Sequence, residues 1–200
     1  VMLSSLWKKK ASMMVGIDIG SHAVKAVLFN QGNNGYVLEA LASEPMPRGA
    51  VLDREIQDIE AVGKILSKVR KKIASSINQA SAAVSGQTVI TKVIYMDVNL
   101  TEEELANQIE IEADSLIPYP LEEVYLDFEE MGPSTTHTGK VNVLLTAAHK
   151  DLVDSRLLLA REANFEPKIV DMENYAIGNA IDYFHQNETP EQPLCCIWWQ

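Results

Sequence analysis

Asp18, Gly20, Ser21 and Lys25 fall within eight residues, in the stretch VGIDIGSHAVKAVLF from Val15 to Phe29. An acid, a glycine, a hydroxyl and an amine at this spacing suit the handling of phosphate. Backbone N–H groups at a glycine turn form an anion-binding concavity. In such a site Ser21 adds a hydroxyl donor, Lys25 adds a charge, and His22 completes the loop. Asp18 would hold Mg2+ through water, since that ion keeps several waters and takes only one or two carboxylates. The two familiar glycine loops fail on context, because both pass the phosphate to a helix N-terminus. Here Val24-Lys25-Ala26-Val27-Leu28-Phe29 follows, which is a strand pattern. A plain Gly-Ser turn between two strands is the other reading of the same residues.

The elements that must position this loop alternate along the chain. Met13–Ile19, Ala23–Phe29 and Tyr36–Ser43 read as three strands, with a turn-rich Asn30–Gly35 loop between the last two, and so predict an antiparallel meander. Ile56, Ile59, Val62, Leu66, Val69 and Ile73 recur at helical spacing and predict a helix over Glu55–Ile73. Ala80–Val84 and Thr88–Val98 follow as strands. Thr101 with Glu104 matches a capping box, and the helix it opens carries Leu105, Ile109, Ala113 and Leu116 on one face until Pro118 stops it. Strands at Val124–Glu130 and Lys140–Ala148 flank a polar Gly132–Gly139 loop. A helix at Asp151–Asn164, a short strand at Ile169–Asp171 and a helix at Glu173–Tyr183 complete the order.

Bulk properties narrow the function. A chain of 200 residues with 46% hydrophobic and 22% charged residues is ordinary globular protein. Its net charge of −11 argues against nucleic acid as a partner. The one basic cluster, Lys8-Lys9-Lys10, lies in an N-terminal tail (residues 1–12). No apolar run is long enough for a membrane span. Cys195 and Cys196 are adjacent, and His22, His137, His149 and His185 are scattered, so neither a disulfide framework nor a metal-ligand spacing is present. The expectation is a reduced, cytoplasmic chain.

The Asp-x-Gly-Ser-x-x-x-Lys spacing across a hairpin resembles the first phosphate loop of the actin and sugar-kinase superfamily. The segment from Ala82 to Gly132, above all Ile117-Pro118-Tyr119-Pro120-Leu121-Glu122-Glu123-Val124, resembles the PilM family of type IV pilus assembly proteins. The cell-division protein FtsA is a more distant relative. The resemblance implies an α/β (α+β) fold: a ribonuclease-H-like, actin-type subdomain over residues 13–84 and 149–185. Into it a smaller strand-helix-strand-strand (SHS2-like) subdomain is inserted over residues 85–148. It further implies ATP with Mg2+ as ligand, Asp18, Gly20, Ser21, His22 and Lys25 as the phosphate loop, and Glu173 at the place of the acid that faces the attacking water in heat-shock-type relatives. As partners it implies the cytoplasmic tail of the membrane protein PilN and other proteins of the pilus platform. The inner membrane would then be reached only through a partner, and the role would be to organise that platform rather than to power it. The alternatives are a nucleotide-independent pilus or secretion adaptor, whose glycine turn is only structural, and a fragment of a sugar-kinase-class phosphotransferase.

Residues 186–200 depart from the family pattern. A polar linker leads to Leu-Cys-Cys-Ile-Trp-Trp-Gln where a strand and a second Asp-x-Gly loop are expected. Trp-Trp-Gln is encoded TGG-TGG-CAR, which reads Gly-Gly one base later, and Cys-Cys shifted likewise gives Val or Ala. The expectation is therefore a family motif read in a wrong frame, half of a nucleotide cleft, and feeble ATP binding without useful hydrolysis.

Overall fold

In the strands around the glycine turn, apolar residues alternate with polar or small ones, and that alternation sets the faces of the sheet. The structure, a computed structural model, describes residues 13–32 and 35–185. Strands β1 (Val15–Ile19) and β2 (Ala23–Gly32) pair antiparallel, with Val15 opposite Leu28 and Asp18 opposite Lys25. Successive side chains point to opposite faces, so Val15, Ile17, Val24, Ala26 and Leu28 are buried together while Asp18 and Lys25 share the other face. Strand β3 (Gly35–Pro45) completes the meander. The predicted Asn30–Gly35 loop is shorter than its composition suggests, because the ladder continues through Gln31–Tyr36 and Gly32–Gly35 pairs.

The predicted start of the first helix at Glu55 is corrected. Val51–Leu52 (β4) and Glu55–Ile56 (β5) form a hairpin, and α1 runs Ile59–Ile73. Asp58 caps it, its Oδ1 accepting from the Ala61 N–H at 2.9 Å. Ile56 fits the helical period only by coincidence. The two hairpin loop residues, Asp53 and Arg54, have φ of 48° and 69°. Two left-handed residues make the turn that suits a two-residue hairpin, where glycine is usual. A side chain in that region costs roughly 1–2 kcal/mol, against a chain-entropy cost of roughly 0.5–1 kcal/mol for glycine. Arg54→Gly is therefore expected to stabilise the protein by roughly 0.5–1 kcal/mol, read as a raised urea midpoint at unchanged m-value.

Strands β6 (Gln79–Val84) and β10 (Glu166–Met172) add in parallel beside β1, giving the order β10-β6-β1-β2-β3. Helix α1 and the later part of α3 (Lys150–Glu162) supply Val62, Leu66, Val69, Leu159 and Ala160 to the core with β1 and β2. Helix α4 (Glu173–His185) follows β10 directly and buries none of its residues fully. It meets the β2–β3 hairpin through Tyr183, whose Oη accepts from the Tyr36 N–H at 3.2 Å.

The chain divides into two compact units: one takes the residues up to Val84 and from Ser155 onward, the other Ser85–Asp154. The second unit holds β7 (Val89–Asp97), α2 (Glu102–Leu116), β8 (Val124–Pro133) and β9 (Lys140–His149), with sheet order β7-β9-β8. Helix α2 covers one face, with Leu105, Ile109 and Ala113 buried against Ile94, Met96, Val143 and Leu145. Leu116 packs partly buried against this core, and Ile117 is buried beside it, where the chain turns extended before Pro118. The predicted capping box is complete: the Thr101 N–H donates to Glu104 Oε2 at 2.9 Å and the Glu104 N–H to Thr101 Oγ1 at 3.3 Å. The Thr101 backbone bond first, and its hydroxyl second, hold the Glu104 carboxyl below the usual glutamate range. A carboxyl lowered in the folded state contributes stability above its ordinary value and loses it as pH falls through the folded one. Amide exchange in the first turn of α2 is thus expected to quicken as the solution is acidified through that range. Thr101→Ala is expected to cost about 1 kcal/mol in urea unfolding.

Candidate functional site

A concavity of about 500 Å3 lies on the sheet face that Asp18 and Lys25 share. Its floor is made of small and apolar residues of that face, Gly16, Val27, Ser81 and Ala83, and α4 contributes Ala176. Asp18, Lys25 and Asp171 bring charge to it. Parallel pairing explains the convergence: β6 lies between β1 and β10, with Asp171 opposite Ala83. Asp18 and Asp171 thus stand two strands apart, about 10 Å at the usual spacing.

The structure brings only some of the predicted residues together. Lys25 Nζ lies 3.1 Å from Asp18 Oδ2, and both side chains are partly exposed. Gly20, Ser21 and His22 form the turn beyond the ends of β1 and β2. The Gly20 N–H is used within it, donating to the Ala23 carbonyl at 3.1 Å. A Cβ on Gly20 would lie 3.3 Å from that same oxygen, a tight contact that would need a shift of a few tenths of an ångström. Ser21 Oγ and His22 Nδ1 are 2.9 Å apart, and the His22 carbonyl accepts from the Met46 N–H at 2.8 Å, tying the turn to the end of β3. Glu173 opens α4 and is not among the residues lining the concavity.

One residue, Asp171, joins the site without having been expected there, and a buried cation, Arg156, lies outside its lining. Asp171 reads from the sequence as strand alone; it lines the concavity, and its Oδ1 accepts from the Met172 N–H at 2.7 Å. Arg156 is 3% exposed, a buried cation on α3. Its Nη2 donates to the Arg54 carbonyl at 2.8 Å. Burial pulls its guanidinium below the usual arginine range, opposed by the negative charges of Glu173 and then Asp18. A signal for it is present in the sequence: Leu152, Arg156, Leu159 and Ala163 recur at helical spacing, which puts a cation on an apolar stripe.

The donor set fits a magnesium phosphate on one wall. Asp18 can hold the ion through water, and Lys25 and the Ser21 hydroxyl can meet phosphate oxygens, provided Lys25 turns from Asp18. Among the described residues no cluster of three or more His, Cys, Asp or Glu converges on a cation, so phosphate oxygens and water would supply the remaining ligands. No helix among them is long and apolar enough to cross a membrane.

A five-stranded mixed sheet of this order, with a β-α-β-β unit inserted between β6 and α3 and an Asp-x-Gly-Ser turn joining β1 to β2, defines a protein of the actin-like fold. The cytoplasmic domain of EpsL, an inner membrane component of the type II secretion system of Vibrio cholerae, shares this fold at a TM-score of 0.52 and 12% identity, over 80% of this chain and 57% of that one. The chain belongs to the type IV pilus assembly protein PilM family, whose profile matches residues 16–193. It superposes on the solved PilM–PilN type IV pilus biogenesis complex with a TM-score of 0.76 at 26% identity, over 88% of its own length. It spans about half, 52%, of that chain. Residues 1–12, Asn33, Asn34 and 186–200 lie outside the described residues, and with them the basic tail and the Leu-Cys-Cys-Ile-Trp-Trp-Gln run.

Proposed function

We propose that this chain is an adaptor for assembly of the type IV pilus inner-membrane platform, binding the cytoplasmic tail of a PilN-type membrane protein and a magnesium nucleotide. The observation that carries the reading is the match of 88% of the chain to a partner-bound PilM. In this reading the protein is cytoplasmic and reaches the inner membrane through its partner. The exposed Glu103, Glu110 and Asp114 of α2 attract a basic membrane-proximal tail at long range. Nucleotide binding is weak, because Asp18 and Lys25 are open to solvent and screened. Co-expression with a membrane protein of the PilN class tests the adaptor role. The chain is expected to fractionate with membranes only when the partner's cytoplasmic tail is intact, and equal fractionation without that tail sinks it.

One observation favours a second reading, in which the adaptor needs no nucleotide. Lys25 already neutralises Asp18, and the Gly20 N–H is already satisfied. A nucleotide-independent adaptor would keep partner binding unchanged when Asp18 or Lys25 is replaced.

A further inference from the structure

The sheet of the first unit has a face that its core does not use. Helices α1 and α3 pack on the side of Val24, Ala26 and Leu28. On the other side stand the cross-strand pairs Val27–Leu41, Phe29–Leu38 and Gln31–Tyr36. Phe29, Tyr36, Leu38 and Leu41 are each at least 41% exposed, and Phe184 near the end of α4 is 72% exposed. Their rings join into one surface. Phe29 meets Tyr36 at 6.4 Å, Tyr36 meets Tyr183 at 5.0 Å, and Tyr183 meets Phe184 at 5.5 Å. Scattered apolar residues on a surface are ordinary, but a contiguous patch marks a place that something covers. Strand β3 also ends its sheet among the described residues, and an apolar edge strand invites association.

The sequence supplies an occupant. Helix α4 ends at His185, one residue beyond Phe184, so residues 186–200 leave the helix at the patch. Gln186–Pro193 is a polar stretch of eight residues, and Leu194-Cys195-Cys196-Ile197-Trp198-Trp199 is an apolar run. Eight residues reach at most about 28 Å. The strand from Tyr36 to Leu41 is roughly 17 Å long, so the run can lie along all of it. Charge favours this occupant over a second copy of the chain. Each copy carries a net −11, whereas Leu194–Gln200 has no charged side chain. A tether this short also holds the run at an effective concentration on the order of millimolar. The family profile stops at residue 193, so the run is a feature that the family match leaves unexplained.

We infer that Leu194–Trp199 folds back onto the open face of β2 and β3, its tryptophans covering Phe29, Leu38 and Leu41. The chain thereby shields its own apolar sheet and keeps β3 from associating with other copies. The inference is independent of the nucleotide and partner readings above.

The test reads tryptophan emission from the whole chain under reducing conditions. Trp7→Phe leaves Trp198 and Trp199 as the only tryptophans. Their emission is expected to be blue-shifted relative to a free peptide of residues 186–200. Leu38→Glu combined with Leu41→Glu puts two carboxylates on the patch, at side chains already half exposed or more. This pair is expected to return the emission to that of the free peptide, while Val93→Glu in the second unit leaves it blue-shifted. A chain cut after Pro193 is expected to gain apolar-dye binding and to self-associate in light scattering. Adding the two Glu substitutions to the cut chain is expected to abolish both gains.

Emission equal to that of the free peptide, from a chain whose circular dichroism shows it folded, overturns the inference. So does a blue shift that survives the two Glu substitutions, because the run then covers a different surface. A blue shift that grows with protein concentration as dimers form gives the patch to a second copy and overturns the intramolecular cover. If the doubly substituted chain does not fold, the cut chain carries the test: unchanged dye binding and scattering overturn the inference.

Discussion

Asp18→Asn is expected to remove the magnesium dependence of ATP binding and to lower Mg-ATP affinity at least tenfold, about 1.4 kcal/mol or more. The argument rests on which group can hold the ion. Asp18 is the acid that borders both the concavity and the glycine turn, and Mg2+ takes such a carboxylate through its own water. With a neutral amide in place of that carboxylate, Lys25 loses its ionic partner and is released toward phosphate, so residual binding should no longer distinguish ATP from Mg-ATP. The effect is separable from stability. The Asp18–Lys25 pair is cross-strand and partly exposed, with side chains 39% and 52% accessible, and pairs of this kind contribute about 1 kcal/mol or less. Calorimetric titration with and without Mg2+, alongside urea unfolding, reads both quantities. An unchanged Mg-ATP affinity would reduce the pair to a structural contact and leave the nucleotide-independent adaptor as the function.

Leu159→Ala is expected to cost about 3–4 kcal/mol. Leu159 is fully buried in the core that joins α1, α3 and the β1–β2 pair. Its Cδ2 would lie 3.4 Å from a Cβ built on Gly63, so the two helices approach closely there. Close backbones cannot collapse further to fill the space a lost isobutyl group leaves, and the cavity persists. By contrast Val93→Ala, at a side chain 49% exposed on β7, is expected to change stability by less than about 0.5 kcal/mol. The difference in urea midpoint between the two variants, at equal m-value, checks the assignment of the core. A Leu159→Ala cost below about 1 kcal/mol would mean that α3 is not packed as described.

The parts of the fold legible in the sequence are those set by neighbouring residues. Alternation around Asp18 and Lys25 specifies the β1–β2 register, because a one-residue slip would turn Val15 and Ile17 to the wrong face. Thr101 and Glu104 announce α2 through a bond pattern that needs only three residues of separation. Hairpin β4–β5 is hidden because its turn uses Asp53-Arg54 where a glycine would have marked it, and Ile56 happens to fit the helix that follows. Asp171 is hidden for a different reason. Its proximity to β1 is produced by parallel pairing across more than 130 residues of chain, which no local pattern encodes. The Ile117–Val124 segment, on which the sequence resemblance rests most, is a packing corner. Tyr119 meets the His149 ring edge-on at 5.9 Å, and Lys150 Nζ donates to the Glu122 carbonyl at 2.6 Å, fixing the entry to β8 against the start of α3.

The most direct measurement is a fluorescence-anisotropy titration of the 200-residue chain into a labelled peptide of a PilN-type cytoplasmic tail, with a scrambled peptide of equal charge as control. Saturable binding of the native peptide at roughly 100 µM or tighter, about 5.5 kcal/mol, with none for the scrambled one, is the result the adaptor function predicts. Equal binding of both peptides, or none up to millimolar concentration by a chain whose circular dichroism and amide protection show it folded, would contradict it.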